Sequence, residues 1–460
     1  MITNVYCFLH KNVKKLLGKS QNPERYMDFV YIINARDDYM FTNETIGNWF
    51  INDKSYETNT ITLYKSDLFF GENTVSRGTK ICLNEKNIDS KKNIQFEKAE
   101  DAWLFMLENS FIPDGWRNSG FCQTGYIYEE GKWCLSSWIW TSAAVARCCI
   151  KLGKITMAKN IADAYIRKQL PDGGWVVRYD YTNKRVIPVV APNDSAYIAN
   201  NALLEVYLAT LDAKYLEAAE KTAQWIINTA RLDGLVYLGY DNSNGNWITN
   251  VNIVDIGFTA GLFAKLYNIT QKNEYLIFLK KFINAYIKSF YNHHIGAFAT
   301  SIDKNGKPQG GFFGRGQAWA LEGLIPAYIV MQTNELKQII IHVTDYIIKN
   351  QQKTGAWPYN FCKLFMGPDC KGTSVIAKSL LDWYKINNSN KKINDSVLKA
   401  MDWCKKHTCL NGEATGGIFS KNVEGAIVHH LYTSTAFVYS TAYALEVLSE
   451  IGEFKYDSNK

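Results

Sequence analysis

Asp172-Gly173-Gly174-Trp175, Asp233-Gly234-Leu235 and Thr354-Gly355-Ala356-Trp357 are three appearances of one turn. The same glycine recurs in Asp114-Gly115-Trp116, Ile295-Gly296-Ala297 and Asn411-Gly412. The successive glycines stand 58, 61, 62, 59 and 57 residues apart. So steady a period marks a repeat architecture, in which each unit buries its apolar face against the next. A second marker keeps the period. Tyr207, Tyr267, Tyr328 and Tyr384 each close an apolar stretch, at spacings of 60, 61 and 56.

Two helix patterns lie between consecutive turns. Tyr215 to Ala230 is amphipathic, with Leu216, Ala219, Thr222, Ala223 and Ile226 near i, i+3, i+4, i+7 spacing. Ala196 to Leu211 is apolar over most of its circumference, and such a helix is buried. A buried helix paired with an amphipathic one, six times over, predicts an all-α fold, the (α/α)6 barrel. The inner ring is expected near 137–152, 195–211, 256–269, 316–331, 373–387 and 433–450. The outer ring is expected near 155–169, 213–230, 272–289, 335–350 and 393–408, with 96–110 closing it. The glycine turns lead into the inner helices, so one mouth of the barrel gathers the long, aromatic-rich loops.

The rest of the chain constrains class more than chemistry. Residues 1–95 do not share the period and read as a small mixed or β-rich accessory region ahead of a barrel over 96–455. Phe29-Val30-Tyr31-Ile32-Ile33 and Thr60-Ile61-Thr62-Leu63-Tyr64 are strand-like, and Asn84 to Asn93 reads as the linker. Of 460 residues, 47% are hydrophobic and 21% charged, which excludes wholesale disorder. Only 9 are Pro, which favours uninterrupted helices. The 13 Trp and 28 Tyr serve as core or as stacking platforms for ligands. The net charge of +7 is spread out, which fits anionic small molecules or saccharides better than nucleic acid. No stretch has the length of a membrane span, and the first residues lack the h-region of a secretory signal, so a cytoplasmic protein is expected. The 10 Cys then read as reduced, buried thiols.

Three charged residues share one phase of the repeat. Asp194, Asp255 and Arg315 are spaced by 61 and 60, and Tyr207, Tyr267 and Tyr328 follow them by 13, 12 and 13. Each Asp alone reads as a helix N-cap. In register on adjacent inner helices, the three converge on the barrel axis. Two carboxylates flanking a cavity suit acid/base chemistry on a sugar, and an Arg beside them suits a substrate carboxylate.

Gly314-Arg315-Gly316-Gln317-Ala318-Trp319-Ala320 resembles the R-G-Q-A-W signature of unsaturated glucuronyl hydrolases, glycoside hydrolase family 88. It is also similar to the R-G-N-G-W pattern of the unsaturated rhamnogalacturonyl hydrolases of family 105. Asp369-Cys370-Lys371-Gly372-Thr373-Ser374-Val375-Ile376-Ala377 resembles their later D-x-S/T-x-x-A-I-A segment. Tyr439-Ser440-Thr441-Ala442-Tyr443-Ala444-Leu445-Glu446 resembles their closing helix.

The resemblance implies an (α/α)6 hydrolase without metal or cofactor. It implies a substrate oligosaccharide carrying a 4,5-unsaturated uronic acid at its non-reducing end. One Asp protonates C4 and activates water for addition at C5, and the resulting hemiketal opens. Asp255 matches that acid/base and Asp194 its partner. Arg315, Gln317 and Trp319 match the sugar subsite, Trp140 the aromatic wall of the first inner helix, and Gln309 a glutamine before the signature. Asn193 stands where the family usually places a His. A second carboxylate and a desolvating aromatic cavity are expected to lift the acid's pKa. Thr433 and Ser434, at the start of the last inner helix, either cap it or touch a uronate carboxylate. Trp175, Tyr179, Tyr237, Trp247, Trp357 and Tyr359 are candidate sugar platforms or loop core.

Two other readings remain open on the same barrel. One is another sugar-active enzyme (an epimerase, a lyase or an ordinary glycosidase), since fold does not fix function. The other is a non-catalytic carbohydrate-binding protein. The sugar, its linkage and the oligomeric state are not legible in the sequence.

Overall fold

The computed structural model describes residues 95–112, 120–127, 132–133, 136–180, 186–242, 245–249, 251–362, 368–387, 391–412, 414–419 and 435–452. The accessory region read over 1–95, the turn at Gly115, and Thr433 and Ser434 fall outside these, apart from Gln95.

The repeat resolves into helix pairs. Outer helix α1 (Ala99–Asn109) precedes inner helix α2 (Ile139–Lys151) and outer helix α3 (Ile155–Lys168). Inner helix α4 (Pro192–Ile198) runs through a π-helical segment, Ala199–Leu203, into α5 (Leu204–Thr210). Outer α6 (Ala213–Thr229), inner α7 (Phe258–Thr270), outer α8 (Asn273–Phe290) and inner α9 (Gly314–Met331) follow. Outer α10 (Asn334–Lys349), inner α11 (Thr373–Asn387), outer α12 (Lys391–Lys406) and inner α13 (Val438–Glu450) complete the series. Each inner helix packs on the next, and α13 packs back on α2, so the inner ring is closed. This is the (α/α)6 toroid, with every predicted helix in place. α1 closes the outer ring, and its Trp103 indole donates to Thr408 beyond α12 at 2.8 Å.

The two markers have separate backbone causes. The turn glycines Gly173, Gly234, Gly296, Gly355 and Gly412 all have positive φ, a region open to glycine at little cost. At Gly173 a Cβ would also lie 2.6 Å from the Lys221 carbonyl oxygen, so the turn seats directly on the next outer helix. The tyrosines mark the opposite end. Leu211, Gln271 and Gln332 adopt left-handed φ of 57°, 57° and 53°. Their N–H groups donate back to the Tyr207, Tyr267 and Tyr328 carbonyls, ending each inner helix in an αL cap without glycine.

The mouth is more ordered than its sequence suggests. Its loops pair into small antiparallel sheets that lace neighbouring repeats together. One runs Ser136–Trp138, Val176–Asp180, Val186–Val190, Tyr240–Asp241, Asn246–Trp247. Another joins Val251–Ile253, Ser301–Asp303 and Pro308–Gln309. A third pairs Gly125–Ile127 with both Lys132–Trp133 and Thr435–Phe437, tying the last repeat to the first. Long loops crossing a protein end must satisfy their backbone groups, and cross-repeat pairing does so.

The expectation of uninterrupted helices needs correction at two places. Pro326 lies inside α9, and the π segment splits the inner helix that begins at Pro192. Among the described residues no helix is long and apolar enough to cross a membrane. Six of the described cysteines are buried, Cys362 is exposed, and none of them forms a disulfide.

Candidate active site

Asp255 stands in a single turn of 3-10 helix, Val254–Gly257, immediately before α7. That turn is gripped on both sides. The Val254 N–H donates to the Thr300 carbonyl at 3.0 Å, and the Val254 carbonyl accepts the Tyr286 hydroxyl at 2.6 Å. The side chain is 1% exposed, and neither carboxylate oxygen makes a well-formed hydrogen bond among the described residues. Burial lifts the carboxyl well above the usual carboxylate range. The Ile256 N–H and the Asn193 side chain come near enough to oppose that rise without overcoming it. A buried carboxylic acid that keeps its proton is an acid ready to donate.

Asn193 and Asp194 occupy the first turn of α4, and both are buried. α4 packs against the Asp255 turn and α7, which brings Asn193 to the Asp255 carboxyl. Neither acid stands at the N-cap position itself. The N-cap positions are Ala191 and Ile253, and neither helix start carries a side-chain capping bond.

Arg315 enters from α9. Its Nε lies 3.3 Å from Asp369 Oδ2, and its Nη1 donates to the Tyr439 hydroxyl at 2.6 Å. Three rings surround the guanidinium, with centroids at 4.9 Å (Phe313), 5.2 Å (Trp319) and 5.9 Å (Tyr359). The side chain is fully buried. The arginine expected to suit a substrate carboxylate thus already faces a carboxylate of the protein, Asp369. Gly372 makes the pair possible. A Cβ there would lie 2.4 Å from Asp369 Oδ2 and 2.5 Å from Arg315 Cγ.

An aromatic circuit joins five of the six inner helices. Trp140 meets Tyr197 at 6.1 Å, Tyr197 meets Phe258 at 4.7 Å, and Phe258 meets Trp319 at 5.8 Å. Trp319 faces Arg315, Arg315 bonds Tyr439, and Tyr439 returns to Trp140 at 4.6 Å. Such a wall excludes water from the neighbouring carboxyls.

The other predicted residues divide. Trp140 and Trp319 belong to this circuit. Gln317, expected in the sugar subsite, has its amide bonded to backbone. Its Oε1 accepts from Phe298 N at 2.8 Å, and its Nε2 donates to the Phe298 and Phe313 carbonyls at 2.7 and 3.2 Å. It staples the loop ahead of α9 to that helix. Gln309 is half-buried, on the outer strand of the sheet whose strand Val251–Ile253 leads into Asp255. Ser434 lies outside the described residues. Trp175 and Trp357 are loop core, their indoles donating at 2.8 Å to the last turns of α3 and α10. Tyr359 is buried in the Arg315 box, while Tyr237 and Trp247 are half-buried and stack on each other at 4.8 Å.

Sequence reasoning missed Tyr197 and Phe258 as wall residues, and Asp369 as the partner of Arg315. The first two carried a signal: each follows its aspartate by three residues, on the same helix face one turn on.

The fold is a helical toroid whose inner helices carry two buried acids and a wall of packed rings at one end. The sequence profile of Glycosyl Hydrolase Family 88 matches residues 128–448, well over half of the chain, and the chain belongs to that family. It is a glycoside hydrolase. Solved structures agree on the fold. An unsaturated glucuronyl hydrolase specific for heparin is 17% identical with a TM-score of 0.61, covering 78% of this chain and 97% of that one. The unsaturated glucuronyl hydrolase of Streptococcus agalactiae is 13% identical with a TM-score of 0.58, covering 78% and 91%. A possible family 105 member from Salmonella enterica is 15% identical with a TM-score of 0.56, covering 77% and 93%. Among curated protein sequences none matches.

Proposed function

We propose that this glycoside hydrolase removes a 4,5-unsaturated uronic acid from the non-reducing end of an oligosaccharide. One observation carries the reading: Asp255 is a buried acid whose burial lifts its carboxyl well above the usual carboxylate range. Carbon is a reluctant base, and protonating C4 of the enol ether calls for such a group. The Asp255 proton goes to C4. Water adds its oxygen to C5 and returns a proton to the carboxylate. The hemiketal then opens, expelling the next sugar as its alcohol. Asp194 is the partner carboxylate that stabilises positive charge developing at C5. Trp140 and Trp319 stack on the sugar, and the boxed Arg315 lends its field to the uronate without a direct fork.

A tyrosine base, as a lyase or epimerase would employ, fits less well. Burial pushes the phenols of Tyr197, Tyr286 and Tyr443 up, away from the ionised form. Product analysis by NMR tests the choice. Incubation of matched saturated and unsaturated disaccharides should release a free sugar and a ring-opened keto product from the unsaturated one alone. Epimerised or newly unsaturated products would overturn the reading.

A further inference from the structure

Beneath the aromatic circuit a hydrogen-bond chain crosses three inner helices. The Tyr197 and Tyr443 hydroxyls lie 2.8 Å apart, and Tyr443 donates to Glu322 Oε1 at 2.7 Å. Tyr197 is in the cleft wall, one turn beyond Asn193 and Asp194 on α4. Its backbone is tied as well: Asn201 Nδ2 donates to the Tyr197 carbonyl at 3.1 Å, and Arg147 Nη1 donates to Asn201 Oδ1 at 3.0 Å.

We propose that Glu322 is a positioning residue of the cleft: through Tyr443 it holds Tyr197 in the wall, and its protonation reverses the direction of that chain. This rests on the reading of the cleft given above.

The charges facing Glu322 are already committed. Arg147 on α2 lies over the Tyr443 ring at 4.6 Å and gives its fork to Glu446 of α13, with both bonds at 2.8 Å. Lys378 on α11 pairs with Asp382 at 2.5 Å and with Glu450 at 3.5 Å. Lys265 on α7 pairs with Glu205 at 2.7 Å and donates to the Asn200 carbonyl at 2.9 Å. Among the described residues Glu322 makes no ion pair of its own. Glu322 is half-buried among these inner helices. Burial pushes its carboxyl up to about 7, against the pull of Arg147, the Tyr443 bond and Lys378, while Asp382 adds to the rise.

Both ends of the chain sit on irregular helix. Pro326, four residues on, has no N–H to give the Glu322 carbonyl. The π segment Ala199–Leu203 begins two residues after Tyr197, and such segments are frequent at functional sites.

The switch follows from donor arithmetic. Ionised Glu322 only accepts, so Tyr443 donates down to it and Tyr197 donates to Tyr443. Protonated Glu322 can donate to Tyr443, which then donates to Tyr197. The Tyr197 proton is thereby released for another acceptor.

The test places 3-fluorotyrosine at position 197 and follows its fluorine signal from about pH 5 to about pH 9, a range above the ordinary carboxyl values of about 4. In parallel, kcat/KM on an unsaturated disaccharide is measured over the same range. The wild-type signal should titrate with a midpoint near 7, as should one limb of the kcat/KM profile. Glu322→Gln and Tyr443→Phe should abolish both, with melting curves showing each variant folded. Should Glu322→Gln fail to fold, Tyr443→Phe carries the test, since it keeps the ring. A wild-type signal that does not titrate, or one that titrates unchanged in Tyr443→Phe, would overturn the proposal. Titration of Tyr197 without any turnover would support the chain and refute the reading of the cleft.

Discussion

Arg315 Nε lies 3.3 Å from Asp369 Oδ2, with both side chains buried in a cage of rings. The signature arginine is thus set by a carboxylate from the next repeat. Removing one partner of a buried pair leaves the other charge uncompensated, at about 3–5 kcal/mol. Asp369→Asn should lower unfolding free energy by about that much in chemical denaturation, and Arg315→Lys should not restore the lost Tyr439 bond and ring stacking.

The same geometry makes Gly372 intolerant of even one methyl group. Gly372→Ala places a Cβ within 2.5 Å of both Asp369 Oδ2 and Arg315 Cγ. The variant should melt well below wild type, and kcat/KM of the protein that remains folded should fall, because the pair must separate. A melting temperature and activity equal to wild type would contradict the close approach.

Asp255 should show opposite effects on activity and stability. Asp255→Asn removes the acid, and positioned acid/base groups contribute about 10²–10⁴ in rate. Burial raises the folded-state pKa, so the folded protein binds that proton more tightly than the unfolded chain. Raising the pH above the unfolded value, about 4, therefore costs wild type stability that the amide does not lose. The melting temperature of Asp255→Asn minus that of wild type should grow from acid toward neutral pH. A difference that shrinks over that interval would reverse the sign.

Gln317 should behave as a structural residue despite its place in the signature. Gln317→Ala strands the Phe298 N–H and carbonyl, and each buried unsatisfied group costs about 1–3 kcal/mol. Denaturation should show that loss, with KM of the folded fraction near wild type. A large KM increase without loss of stability would return Gln317 to the sugar.

How much of this was legible follows from range. The period is readable because each described turn has a glycine at positive φ, as at Gly173, and because inner helices such as α7 are buried over most of their length. Asp194, Asp255 and Arg315 were readable as one phase of that period. The partner of Arg315 was not, since Asp369 lies in another repeat and only packing brings it over. The backbone bonds of Gln317 are not legible either, because a motif does not say which way an amide points. The mouth sheets escaped notice because strands such as Tyr240–Asp241 are two residues long and pair across repeats with Val189 and Val190. The rise at the Asp255 carboxyl comes from burial, and the second carboxylate expected to add to it is not among its causes.

The central claim is hydration of an unsaturated uronide by Asp255. The C4=C5 enol ether absorbs in the ultraviolet, and its hydration destroys that absorbance. Wild-type protein mixed with unsaturated uronic disaccharides should bleach the band in step with release of the second sugar, and Asp255→Asn, folded, should not. A band that persists with every such disaccharide, or bleaching by Asp255→Asn at the wild-type rate, would contradict the account.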